Sequence, residues 1–387
     1  MPAVHVLVGT KKGAWVYTAD EARREWTLSA PMMPGWTINH LVVDTRRETP
    51  RLLAGGSHWA WGPMVARSDD GGVTWTERSP GLAFEADRGV SVGSVWQVRP
   101  GRASEPGVVY AGTQPAGLFR STDGGETWSP VDEVNHHPYR EFWGETGGGA
   151  STLHTIELHP TDPDCMYISI ATGGTYVTHD NGKTWEICSH RAIATNPMQA
   201  DMWKEFAERY PQFANMEFPV PPGVDPQAVN EMHKMRLDPA NPDRLWAQTH
   251  VGVFTSPDAA QSWQDVTVGL PSFHGFPIAV QRNGQGAAFV VPLAFEADNF
   301  RVQPGQFTVY RTRDFGTSWE PLTNGLPGPH DYQSVYREAM DTDGQPSEGV
   351  YVGTTNGEVW ASFDAGDHWQ RLPGTLPPIL SVVTAVY

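Results

Sequence analysis

Two histidines stand six residues before a proline at the ends of two similar apolar strands: His154 ahead of Leu158-His159-Pro160, and His233 ahead of Leu237-Asp238-Pro239. The shared offset places both at the same point of neighbouring repeat units. His250, in the short connection Thr249-His250-Val251-Gly252, returns toward His233. Three imidazoles converging on one opening offer neutral nitrogen donors and leave a coordination position for substrate, which is what a divalent transition metal such as Zn, Mn or Fe needs. Without a metal, an imidazole poised near neutrality moves protons. Glu145 and His137, upstream of His154, can add an oxygen ligand, a partner that orients an imidazole, or a general base. The competing use of a histidine at a strand start is a hydrogen bond to a backbone carbonyl, and no helical His-x-x-x-His motif selects between the two. His159 belongs to a turn and is assigned to structure.

A second set is charged. Arg337 and Glu338 sit on an inner strand near the C-terminus, and Glu296, Asp298 and Arg301 lie on a long connection before it. Together they can hold a polar substrate, with Trp59, Trp61, Trp96, Trp143 and Phe300 as an apolar or stacking wall. Charged groups lining a channel are also often simply solvated, and that use stays open.

The elements that must carry these residues follow from a repeat. An Asp, a turn and a Trp five residues after the Asp recur as Asp70/Trp75, Asp123/Trp128, Asp180/Trp185, Asp258/Trp263, Asp314/Trp319 and Asp364/Trp369. An Asp beside glycine is turn chemistry, because the carboxylate accepts backbone N–H bonds while glycine takes a positive φ at little steric cost. Alternating strands flank each turn, as in Leu118-Phe119-Arg120 and Val309-Tyr310-Arg311, and another strand ending in small residues lies upstream, as in Val109-Tyr110-Ala111-Gly112-Thr113. Each unit reads as a four-stranded antiparallel sheet, and the spacing is that of propeller blades with variable insertions. A degenerate unit with Asp20 and Trp26 opens the chain without its own inner strand; the C-terminal run Ile379 to Tyr387 has the character to supply it. The expectation is an all-β chain, one seven-bladed β-propeller over residues 1–387, its ring closed by the C-terminal strand.

These turns closely resemble the Asp-box, or BNR, repeat of sialidase-like propellers, across essentially the whole chain. The overall pattern is similar to bacterial BNR proteins labelled exo-α-sialidase. Related repeats occur in sialidases, xyloglucan-degrading hydrolases, sortilin-type receptors and a photosystem assembly factor, so the resemblance implies the fold and leaves the activity open. A sialidase would carry an Arg triad opening with a Phe/Tyr-Arg-Ile-Pro motif, an Asp acid/base and a Tyr/Glu nucleophile pair. No such Arg motif stands near this N-terminus, and only Tyr336 and Glu338 resemble a remnant of the pair. Authentic sialidase action is not expected.

In this strand order the Asp-box turns and the compact turns between first and second strands share one face. The opposite face receives the long segments: 57–63, 80–93, 130–151, 189–230 and 292–306. The 189–230 insertion, with a helix-like stretch from Met198 to Tyr210 and a proline-rich end, reads as a lid or rim. The net charge of −17 argues against nucleic acid or an anionic membrane surface as partner. No apolar run is long enough to span a bilayer, and Met1 to His5 lead directly into a strand, so a cytoplasmic location is expected, with Cys165 and Cys188 reduced. The functional expectation is a hydrolase or lyase acting on a small polar or carbohydrate-like substrate at the loop-rich mouth. The alternative is a non-enzymatic propeller that binds a protein or peptide through its rim.

Overall fold

A computed structural model describes residues 2–145, 149–189, 201, 204, 205, 207, 208, 211, 223–294, 302, 303 and 305–387. They form seven antiparallel sheets. The first blade holds β1 (Ala3–Thr10), β2 (Gly13–Asp20) and β3 (Thr27–Leu28). The second is β4 (Thr37–Asp44), β5 (Arg51–His58) and β6 (Gly62–Ser68), its outer edge finished by a bridge between Arg67 and Thr76. The third is β7 (Ser94–Pro100), β8 (Val109–Gln114), β9 (Leu118–Ser121) and β10 (Ser129–Pro130). The fourth is β11 (Leu153–Leu158), β12 (Met166–Ile170), β13 (Gly174–Thr178) and β14 (Glu186–Ile187). The fifth is β15 (Met232–Asp238), β16 (Asn241–Thr249), β17 (Val253–Ser256) and β18 (Gln264–Asp265). The sixth is β19 (Gly275–Val280), β20 (Ala288–Pro292), β21 (Val309–Thr312) and β22 (Glu320–Leu322). The seventh is β23 (Met340–Thr342), β24 (Val350–Gly353), β25 (Val359–Ser362) and β26 (Trp369–Arg371). The C-terminal β27 (Ile379–Val386) pairs antiparallel with β1 and becomes the inner strand of the first blade, as the sequence predicts. Closure of this kind removes the open edge that would otherwise template pairing with another chain.

Each Asp box is a small hydrogen-bonded knot with the same wiring. In the third blade the Ser121 hydroxyl donates to Asp123 Oδ1 at 2.7 Å and accepts the Gly125 N–H at 2.8 Å, while Asp123 accepts from the Thr127 backbone and hydroxyl. Hydrogen bonds from the Thr184 hydroxyl and backbone N–H, joined by one from Thr178, pull Asp180 down to about 2. Two successive left-handed residues close the turn, Gly124 and Gly125 in the third blade, Ala259 and Ala260 in the fifth. Two of the box tryptophans fasten blade to blade: Trp263 Nε1 donates to Cys188 O at 2.8 Å and Trp319 Nε1 to Val266 O at 2.7 Å. His159 accepts the Asp162 N–H in its turn on this face, in keeping with its structural assignment.

The inner strands line the channel and carry a feature that positions the site. The pairing of inner and second strands slips at one place in blade after blade: between Ile38 and His40, Val95 and Gln97, Leu153 and Thr155, Met232 and Lys234, and Gly275 and Ile278. The residues caught in the slip are Asn39, Trp96, His154, His233, and Phe276 with Pro277. A bulge leaves its extra residue outside the ladder and re-aims its side chain. Here several of those side chains stitch the ring: Asn39 donates to Val95 O, His154 bonds Met232 O and His233 bonds Gly275 O, each reaching the next blade just before that blade's own bulge.

Below the bulges the channel holds ion pairs. Lys234 Nζ sits 2.6 Å from both Glu338 oxygens, fully buried, and Arg236 pairs with Glu157 at 2.6 Å. At the Asp-box end a cavity of 610 Å³ opens among His40, Arg99, Glu157, Arg236, Arg282 and Asp341. Its charges answer one another, with Arg99 3.6 Å from Glu157 and Arg282 3.7 Å from Asp341.

Candidate functional site

The histidine alignment puts His154 and His233 at equivalent bulges, and the structure then gives them different work. His154 is fully buried with both nitrogens used: Nε2 donates to Met232 O at 2.9 Å, and Nδ1 faces the Thr155 hydroxyl at 3.0 Å. Burial, reinforced by Arg337 and Lys234, holds its pKa well below the ordinary value, so it is a neutral stitch between blades. The imidazoles whose nitrogens gather within 4.8 Å of one another are His233, His250 and His274. Their rings meet edge to face at centroid distances of 5.0 to 5.5 Å.

Each member comes from a different kind of element. His233 is the bulge residue of β15, His250 lies in the turn between β16 and β17, and His274 ends the connection from β18 into β19. Glu231 stands just ahead of β15, with Oε1 3.5 Å from His233 Nε2 and Oε2 3.2 Å from His250 Nδ1. His233 and His274 are buried, while the side chains of His250 and Glu231 keep 26% and 28% of their surface open to the mouth. Burial raises the Glu231 carboxyl, but the facing His233 and His250 imidazoles outweigh it and hold the group well below the ordinary carboxylate range. His233 is pushed down to about 4 by burial, against the pull of Glu231.

Glu231 and His274 are the two members that sequence reasoning did not single out. The signal was available: Glu231 precedes the bulge residue His233 by two positions, and His274 precedes the bulge residue Phe276 by the same two. The alignment that picked out His154 and His233 marks this position as well, once the bulge is recognised.

The remaining candidates fall at several places. Arg337 lies over Trp96 at 5.5 Å and over Phe276 at 5.8 Å, and Phe276 in turn packs 4.6 Å from His233, so one wall runs from Trp96 through Arg337 to the imidazoles. Glu338, next in sequence, is drawn down the channel to Lys234. His137 caps a short 3₁₀ turn by accepting the Tyr139 N–H, and its ring packs beside Trp143 and Tyr176. Trp143 donates to the Tyr176 hydroxyl at 3.0 Å. Glu145 is exposed on the same connection. Trp59 and Trp61, 94% and 76% exposed, crown the β5–β6 hairpin on the mouth side. Most of the 189–230 insertion, with its helix-like stretch, and Glu296, Asp298, Phe300 and Arg301 lie outside the described residues.

Seven antiparallel blades, six of them closed by hydrogen-bonded Asp turns, define a β-propeller of Asp-box type. A family model for the BNR/Asp-box repeat matches residues 119–130 and 176–186. Among curated proteins the chain is similar to an oligoxyloglucan-reducing end-specific xyloglucanase of Emericella nidulans, 25% identical over 272 residues, covering 67% of this chain and 28% of that protein. It is also similar to a xyloglucanase of a Paenibacillus species, 23% identical over 333 residues, covering 82% of this chain and 28% of that one. The chain thus spans little more than a quarter of the length of these relatives. Among solved structures, an ancestral GH74 enzyme shares the fold with a TM-score of 0.58 at 14% identity, over 87% of this chain and 38% of that one. YCF48 bound to D1 peptide does so with a TM-score of 0.52 at 14% identity, over 89% and 88%.

Proposed function

We propose that this propeller is a hydrolase acting on a carbohydrate-like substrate at the loop-rich mouth, with Glu231 and His250 at the reacting bond and Arg337 and Trp96 as the binding wall. The observation that carries the reading is the Glu231 carboxylate 3.2 Å from His250 Nδ1, with both side chains partly open on the face where the long connections gather. A carboxylate at one imidazole nitrogen orients the ring, so that the other nitrogen can exchange a proton with a substrate or a water. Arg337 on the Trp96 face pairs a cation with a flat apolar surface, and the two suit a hydroxyl-rich ring that offers polar edges and an apolar face. The xyloglucanases among the relatives support a glycan as substrate class.

Incubation with xyloglucan oligosaccharides and other soluble glycans, scored by new reducing ends, tests this. Turnover by the wild-type chain that drops at least about 100-fold in Glu231→Gln and His250→Ala, with folding retained, is the expected result. Equal turnover in both variants would place the chemistry elsewhere. A rim that binds a protein or peptide is favoured by one observation, the exposed pair Trp59 and Trp61. Under that reading Trp59→Ala abolishes capture of the partner, and no glycan is cleaved.

A further inference from the structure

We propose that His233, His250, His274 and Glu231 form a binding site for one divalent transition metal ion, of which zinc is the best match. The Gly275 carbonyl can only accept, so the hydrogen bond from His233 Nδ1 fixes the proton on that nitrogen and leaves Nε2 as a lone pair. That lone pair, buried and without a hydrogen-bond donor among the described residues, faces an ionised carboxylate oxygen 3.5 Å away. Two acceptors aimed at each other repel unless something positive lies between them.

A metal ion resolves the arrangement. An imidazole held by a backbone carbonyl through one nitrogen, with the other presented inward, is the usual way a protein orients a metal-binding histidine. Ligand atoms around a tetrahedral ion at about 2.1 Å stand about 3.4 Å from each other. The separations of Glu231 from His233 and His250, 3.5 and 3.2 Å, already match such an edge. The three histidine nitrogens, within 4.8 Å of one another, close on the same centre by modest ring rotation. Imidazole with one carboxylate suits zinc and its transition-metal neighbours rather than calcium or magnesium, which favour all-oxygen sets. The Asp-box face has a second group of donor residues, Asp162, Cys165 and His179, but burial pushes the Cys165 thiol up and disfavours the thiolate that would bind.

The inference rests on the same site as the proposed hydrolase, yet its test reads metal rather than turnover. Full-length protein is stripped with a chelator, desalted and titrated calorimetrically with zinc chloride, and its content after dialysis is measured by elemental analysis. One equivalent is expected in the wild type. His250→Ala and Glu231→Gln, both at partly exposed positions, are expected to weaken binding by roughly 10- to 100-fold or more, as is His274→Ala. His179→Ala is expected to keep the wild-type affinity. Cobalt(II) substitution gives a second readout, the visible bands of a nitrogen-and-oxygen set, lost in His250→Ala. Absence of binding by the wild type, or one equivalent retained in His250→Ala and His274→Ala, overturns the site. Stoichiometric metal without glycan cleavage leaves the site standing and removes the hydrolase reading; cleavage by a metal-free chain does the reverse.

Discussion

Arg337 and Glu338 are neighbours in the chain and do opposite things. Glu338 is buried against Lys234, whose ammonium is pulled down to about 8 by its burial and by the nearby Arg236, against the support of Glu338. Removing one partner of such a pair strands a buried charge, so Lys234→Ala should cost about 3–5 kcal/mol, read as a shift of the urea midpoint. Arg337 instead rests on Trp96 and Phe276 at the mouth. For Arg337→Ala the expected signature is a KM raised about 10-fold or more with the urea midpoint little changed, the loss of a charged contact to substrate. A variant that unfolds as readily as Lys234→Ala would make Arg337 a structural residue.

At the scale of elements, the Asp box and the inner-strand bulge divide the labour. The box holds the outer strands from one face: the Ser121 hydroxyl, almost fully buried, satisfies both Asp123 and the Gly125 N–H. Ser121→Ala leaves that N–H without its partner and should cost about 1–2 kcal/mol in chemical denaturation while glycan turnover of the folded protein stays at the wild-type level. The bulge works at the other end of the blade. In blades two to six it turns a side chain out of the ladder, and where that side chain is a histidine with a carboxylate two positions earlier, as at His233 and Glu231, the stitch becomes part of a site.

For the whole molecule, the ring must close before the first blade is complete. Deleting residues 379–387 removes the inner strand of the first blade and leaves β1 with an unpaired edge, so the truncated chain should lose its cooperative thermal transition and self-associate in size-exclusion chromatography. A truncated chain that melts like the full one would show that closure is dispensable. Stability should also fall in acid, and its sign follows from two buried histidines. His40 is lowered to about 3, by burial and then by Lys234, Arg236 and Arg99, and His154 lies well below its ordinary value. Both stay neutral in the native state while the unfolded chain protonates them near pH 6.5, so their contribution is complete above that pH and is lost on descending from it. The slope can reach about 1.4 kcal/mol per pH unit for each group, and urea midpoints at pH 7.5, 5.5 and 4.5 should decline in that order. The Asp boxes extend the loss: Asp70, drawn to about 2 by the Thr74 hydroxyl and backbone, gives up its bonds only in stronger acid.

The Asp-to-Trp repeat, together with the strand patterns around it, determined the blades, their number and the need for the C-terminal strand, because turn chemistry and strand alternation are local and repeat. The face that carries the insertions was legible for the same reason. Which histidines meet was decided only in three dimensions. His154 and His233 occupy equivalent positions in the chain, and what separates them is what surrounds each: the next blade's Met232 carbonyl and the adjacent Thr155 hydroxyl use both nitrogens of His154, whereas His233 meets the next blade's Gly275 carbonyl and His274 together with Glu231 and His250 of its own blade. A one-dimensional pattern fixes the position of a side chain within its own strand, while the neighbours that set its chemistry come from other turns of its blade and from the blade beside it.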